Sequence, residues 1–345
     1  MSQKIQKIGI ARLIISAFLV VLLIGAYYLD LPMGLLGGSV LARFGMNALL
    51  VLALIPTIQS GTGPNFGLPI GILCGLVAMT LAIELELAGF SALFFSAAIA
   101  ILLGVVVGYL YGLLLNRVIG QEMTVGTFIS WAVVSLMSIF WLMAPYRSPE
   151  MVWPVGGEGL RVTIVLTGRM DQLLDRLWAF RIGPMTVPTG LLLATALFCV
   201  LLWYFMRSRT GLAMTICGAN PRFAQASGLD VNRYRLVGAV LSTAMAAVGI
   251  IIYSQSFGFI QLYQAPFFMA FAAVSAILIG GASLSRATIS QALIGAFLFN
   301  SLLVVAPPVA NRIIASEIAE IMRMIISNGI ILYALTRKSS GGELG

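Results

Sequence analysis

Residues 89–115 read GFSALFFSAAIAILLGVVVGYLYGLLL, a run without a single charged side chain. Coiled as an α-helix at about 1.5 Å per residue it is about 40 Å long, more than the roughly 30 Å hydrocarbon core of a bilayer. Lipid offers the backbone no hydrogen-bond partners, so such a run crosses as a helix. Working outward, apolar runs recur at residues 10–29, 43–59, 66–83, 124–144, 188–206, 236–258, 267–281, 288–306 and 313–335. Hydrophobic residues make up 60% of the 345 and charged ones only 9%, and no aqueous fold hides that much apolar surface. The expected fold is an all-α membrane protein of about ten transmembrane helices, a single multi-pass domain over residues 1–345.

Charge sets the expected orientation. With the N-terminus inside, the inner segments collect Lys4, Lys7, Arg12, Arg117, Arg207, Arg209, Arg222, Arg233, Arg235, Arg286, Arg337 and Lys338, against only Glu122, Asp230 and Glu343. That excess follows the positive-inside rule and places both termini in the cytosol. It also accounts for the net charge of +8 without nucleic acid as a partner. Residues 145–187 become an extracytoplasmic loop, with an interfacial helix expected near Met170 to Ala179, and residues 207–235 a cytosolic loop. The first run is too long for a signal peptide and lacks a small-residue cleavage site, so it stays as a span.

Several kinds of chemistry drop out. There is no histidine, and Cys74, Cys199 and Cys217 are scattered, so neither a metal-ligand set nor a catalytic cluster emerges. The only lysines are Lys4, Lys7 and Lys338, none within G-x-x-x-x-G-K-(S/T), so the chain has no phosphate-cradling loop for ATP and holds no cofactor of its own. A transporter built this way draws energy from a partner or from an ion gradient. Glu317, Glu320 and Arg323, three residues apart in the last run, are the candidates for a proton relay in a self-sufficient secondary carrier, or for an intrahelical pair.

The sharpest local pattern lies in the inner loop, Gly218-Ala219-Asn220-Pro221-Arg222-Phe223-Ala224-Gln225-Ala226-Ser227-Gly228. Asn220 suits an N-cap, Pro221 the first helical position, and Gly228 the left-handed stop. Two turns are too short to stand alone, so the helix packs either on its own spans or in a groove of a soluble partner.

This stretch resembles the permeases of the ribose-type and branched-chain-amino-acid-type ABC importers. Their pattern, G-x-N-x-x-A-A-x-x-S-G-(I/L)-(N/D)-V-x-R, is met at Gly218, Asn220, Ala224, Ser227, Gly228, Leu229, Asp230, Val231 and Arg233. The resemblance implies that Asn220, Pro221, Arg222, Phe223, Ala224, Ser227 and Gly228 form a coupling helix on a cytosolic ATP-binding subunit, which carries the ATP and Mg. It further implies a second permease copy or paralogue, an extracytoplasmic solute-binding protein and a bacterial inner membrane. A simple sugar is the leading solute, with a branched-chain amino acid or nucleoside as alternatives. Thr62-Gly63-Pro64-Asn65-Phe66-Gly67-Leu68-Pro69-Ile70-Gly71 stands where the sugar permeases carry T-G-G-x-D-L-S-V-G, without its acidic residue and one residue longer. Ile279-Gly280-Gly281-Ala282-Ser283-Leu284 matches the family's G-G-x-S-L, followed by a shortened turn.

Candidates for the solute pathway follow from breaks and polar groups in apolar runs. Glycines and prolines interrupt Thr62 to Gly71, either as a tight turn or as a re-entrant segment, which makes Asn65 and Phe66 pathway candidates. Gly280 to Ser283 is a second small-residue break, possible kin to the first in an internal repeat of the two halves, and adds Ser283. Asn47 and Asn300 are amides inside spans, available to a solute or to interhelical hydrogen bonds. Phe257, Phe259, Tyr263, Phe267, Phe268 and Phe271 suit either a sugar-stacking gate or a membrane-interface belt.

Overall fold

The computed structural model describes residues 10–153, 159–313, 321 and 323–332. Its helices are α1 (Ile10–Tyr28), α2 (Met33–Leu52), α3 (Ile55–Gln59), α4 (Leu68–Glu84), α5 (Gly89–Leu115), α6 (Glu122–Met143), α7 (Leu173–Arg176), α8 (Thr189–Arg207), α9 (Arg209–Ala219), α10 (Pro221–Ala226), α11 (Val231–Phe257), α12 (Ala265–Ile279) and α13 (Ile289–Ile313). A further apolar helix, α14, covers Arg323–Leu332. Four three-residue strands, β1 (Thr163–Val165), β2 (Phe180–Ile182), β3 (Met185–Val187) and β4 (Phe259–Gln261), complete the described chain. Among the described residues, six stretches are long and apolar enough to cross a membrane, Met33–Gln59 through α2 and α3, and helices α5, α6, α8, α11 and α13. The molecule is an all-α membrane protein apart from these short strands.

Helix α11 is the axis. Two-thirds of its apolar stretch is buried inside the protein, against 22% for α6 and for α8, so those two turn most of their surface outward. Small residues explain how α11 is enclosed. Along α5, Gly104, Gly108 and Gly112 recur every fourth residue, and a methyl at Gly104 would stand 2.8 Å from the Ala244 Cα. From the other side Gly71 and Gly75 of α4 meet Thr243, Ala246 and Ala247. Backbones that approach this closely gain dispersion contact where lipid provides no hydrophobic drive for helices to associate.

Element ends depart from expectation in two informative places. The second span was expected at residue 43, yet α2 begins at Met33. Gly34, Gly37, Gly38 and Ser39 dilute the apolar signal, but they are small because the β2–β3 hairpin lies across them: a methyl at Gly38 would sit 3.0 Å from the Thr186 carbonyl oxygen. Similarly α13 runs on through Pro307 and Pro308 to Ile313, past the expected end at residue 306.

The described residues between 145 and 187 form a small lobe rather than an open loop. Strand β1 pairs antiparallel with β4, Ile164 opposite Ile260, and β2 pairs with β3. The interfacial helix expected near Met170 to Ala179 shrinks to the single turn α7, which follows Gln172 in the left-handed region at φ 50°. At the opposite end of the bundle, the Arg235 guanidinium forms a buried ion pair with Glu122 and also reaches the Leu115 carbonyl oxygen, tying α11, α6 and α5 together. There too Arg12 donates to the Gly280 carbonyl oxygen, fastening α1 to the turn after α12.

Candidate solute pathway and coupling helix

Helix α10 is built from its caps. The Asn220 side-chain oxygen accepts from the Phe223 N–H at 3.0 Å, and Pro221 occupies the first turn. At the other end Gly228, at φ +79°, lets its own N–H reach the Gln225 carbonyl and the Leu229 N–H reach Ala224, a Schellman closure. Flanking helices are capped in the same way, α9 by Ser208 and α11 by Asp230. Of the six residues of α10 only Ala224 is buried, against Cys217 and Val231. Arg222 and Phe223 point away from the protein, and Phe223 is 60% exposed.

Behind α10, Gly218 in α9 lies against Gln59 and Gly61, so closely that a methyl at Gly61 would be 2.9 Å from the Gly218 Cα. Gln59 in turn donates through Nε2 to the Ala287 carbonyl oxygen, and Gly63 faces the Leu284 carbonyl oxygen. The first glycine-rich break thus meets the turn that follows the second, through Gly63 and Leu284, with the capped loop packed beside it on Gln59 and Gly61.

At the lobe end, a cavity of about 530 Å³ opens between α2, α11, α12, α13 and α14 beneath the β1–β4 pair. Arg43, Asn47, Asn300, Tyr253, Tyr263, Gln261, Gln264, Phe268 and Arg323 line it. The Arg43 guanidinium stands 5.2 Å from the centre of the Phe257 ring, which packs at 4.2 Å on Phe259.

The candidate residues fall into three places. Asn47 and Asn300 face this cavity. Asn65 is buried in the turn between α3 and α4, donating to Ser242 Oγ and accepting from the Gly67 N–H, both at 2.9 Å. Phe66 beside it stacks edge-on with Phe271, which continues through Phe267 to Trp131. Ser283 closes the turn after α12, accepting from the Arg286 N–H at 2.8 Å, on the α10 side of the bundle. Of the aromatic set, Tyr263 and Phe268 line the cavity while Phe267 and Phe271 belong to the Phe66 row. Glu317 and Glu320 lie outside the described residues.

The family model described as the branched-chain amino acid transport system, permease component, matches residues 36–335. The chain belongs to this permease family. No individual curated protein matched it. The permease is therefore a membrane component of an ABC-type transport system, in the branch that serves branched-chain amino acids or simple sugars.

Several cavity residues escaped the sequence reading, among them Tyr253, Gln261, Gln264 and Arg43. Arg43 stood at the edge of the expected span, where a basic side chain is unremarked, because the glycines before it hid ten further helical residues. The signal lay in the period of four in Gly34, Gly38 and Ala42, a face smooth enough to continue the helix.

The lobe of the permease also carries a half-buried acid. Asp175 accepts from Ser256 Oγ at 2.7 Å and from Gln255 Nε2 at 3.1 Å, joining α7 to the end of α11. Burial nevertheless pushes its carboxyl above the usual aspartate range, with the Asp171 charge adding to the rise. The native lobe therefore holds this proton more tightly than the unfolded chain, so the contact gains stability as pH falls through the raised value and stops gaining below the ordinary 3.8. Hydrogen-exchange protection of residues 171–177 is expected to rise on mild acidification and to lose that dependence in Asp175→Asn. An unchanged slope in the variant would remove Asp175 as the cause.

Proposed function

We propose that this chain forms the translocation pathway of an ATP-driven importer in a bacterial inner membrane, carrying a small polar solute of the simple-sugar kind. It would cross the membrane about ten times with both termini in the cytosol, which puts α10 inside and the lobe outside, where a solute-binding protein delivers its cargo. The observation that carries this is α10 itself, a helix capped at both ends, seated by one alanine and presenting Phe223 and Arg222 outward. An isolated two-turn helix is not stable, and its exposed aromatic has no work within this chain. A groove on a cytosolic ATP-binding subunit, which holds the ATP and Mg, supplies the missing partner. A second permease copy or paralogue completes the channel. ATP binding and hydrolysis then bias two packings of the helices through α10.

The test is to purify the tagged chain from its native membrane in mild detergent and identify what accompanies it by mass spectrometry. A stoichiometric ATP-binding subunit is expected, and Phe223→Glu should release it while leaving membrane insertion intact. A lone chain that catalyses ion-dependent uptake in liposomes would instead establish a secondary carrier.

A further inference from the structure

Arg43 lies within Met33–Gln59, a stretch long and apolar enough to span a membrane, and faces the lobe-end cavity. A full charge at that depth is costly unless water, a pairing partner or a ligand compensates it. Among the described residues, the lobe's carboxylates are engaged elsewhere, Glu150 by Arg169, Asp171 by Arg176, and Asp175 by Gln255 and Ser256, as is Glu84 at the end of α4 by the Arg147 and Ser148 N–H groups. Among the described residues no carboxylate lines the cavity. What holds the Arg43 guanidinium is the face of Phe257, a contact that uses its charge but none of its five N–H donors.

The neighbouring amides add a second chemistry. Asn47 Nδ2 donates to the Arg43 carbonyl oxygen at 2.9 Å, and Asn300 Nδ2 donates to the Ala296 carbonyl oxygen at 2.8 Å. Each amide thus spends one of its two Nδ2 hydrogens on its own helix and keeps its Oδ1 as an acceptor near the cationic Arg43. Acceptors of that kind suit hydroxyl groups. Tyr263 and Phe268 supply flat apolar faces beside them. At about 530 Å³ the space lies in the range of small-molecule sites, roughly 300–1,000 Å³.

We propose that this cavity recognises a small polyhydroxylated acid, a sugar acid rather than a neutral sugar, and that Arg43 selects its carboxylate. The proposal rests on the assignment of the cavity as the solute route. A guanidinium pairs with phosphate as well as with carboxylate, so a sugar phosphate is the rival source of the anion.

The test uses the transporter as purified from its native membrane and saturation-transfer NMR with D-gluconate, D-glucose and D-glucose 6-phosphate as probes. Gluconate is expected to bind about ten-fold more tightly than glucose, the scale of one charge-assisted hydrogen bond. Arg43→Gln should erase that difference while glucose binding persists, and Arg43→Lys should retain part of it. Ala272→Trp, which fills the cavity from its wall, should abolish binding of both. Equal binding of gluconate and glucose, or a preference that survives in Arg43→Gln, overturns the acid selection while leaving the route in place. Binding undisturbed by Ala272→Trp overturns the route itself. Tighter binding of the phosphate than of gluconate, or no binding of any probe, overturns the carboxylate assignment.

Discussion

Replacing Gly218 with valine is expected to cut solute uptake by about ten-fold or more, while the ATP-binding partner proposed above still co-purifies. The reason is where a side chain would go. A methyl at Gly218 would overlap the Gln59 carbonyl oxygen and approach the Gly61 nitrogen to 2.7 Å, backbone on both counts, so no rotamer can swing aside. Overpacking of this kind costs ~1–3 kcal/mol and is relieved only by moving one backbone away from the other. That separation opens the contact through which α9 and α10 press on the turn between α3 and α4. The docking face, Arg222 and Phe223, is untouched because it points the other way. Uptake assays in proteoliposomes, run beside co-purification, separate the two effects. Normal uptake by the valine variant would show that this contact transmits nothing.

The second large effect concerns the pair at the same end of the bundle. Arg235 and Glu122 have side chains only 8% and 13% exposed, and the pair joins α11 to α6 beneath the end of α5. Removing one partner leaves the other charge buried alone, which costs ~3–5 kcal/mol, whereas replacing both by apolar residues of similar size is often neutral or stabilising. Arg235→Met is therefore expected to lower the thermal midpoint of the detergent-solubilised protein sharply. The double variant with Glu122→Leu should recover most of the loss. If Arg235→Met alone melts like the wild type, water reaches the pair and it does not hold the helices.

How much of this was legible beforehand depends on what each feature draws its stability from. Uncharged runs such as residues 89–115 declare themselves because lipid tolerates nothing else, and α5 begins and ends where that run does. The caps of α10 were equally plain, since Asn220, Pro221 and Gly228 act on their immediate neighbours. The start of α2 was hidden because Gly34 and Gly38 are explained only by a hairpin some 150 residues downstream, which no local window contains. The cavity was hidden for the same reason. Asn47 and Asn300 could be named as odd amides, but their sharing a chamber with Arg43 requires α2 and α13 to be neighbours, and that is a fact of packing.

The β1–β4 pair bears on how the molecule is made. Val165 finds its partner Phe259 only after α8 and the whole of α11 have left the ribosome and entered the bilayer. Until then the emerging lobe waits with an unpaired edge and an uncovered Ile164, which the finished protein buries completely. The final shape of this surface, extracytoplasmic in the orientation proposed above, is thus a late event in biogenesis, completed from the far side of the chain. Truncation before residue 259 should leave a lobe that proteases in that compartment readily cut, so the same short ladder that roofs the cavity also marks a finished polypeptide for quality control.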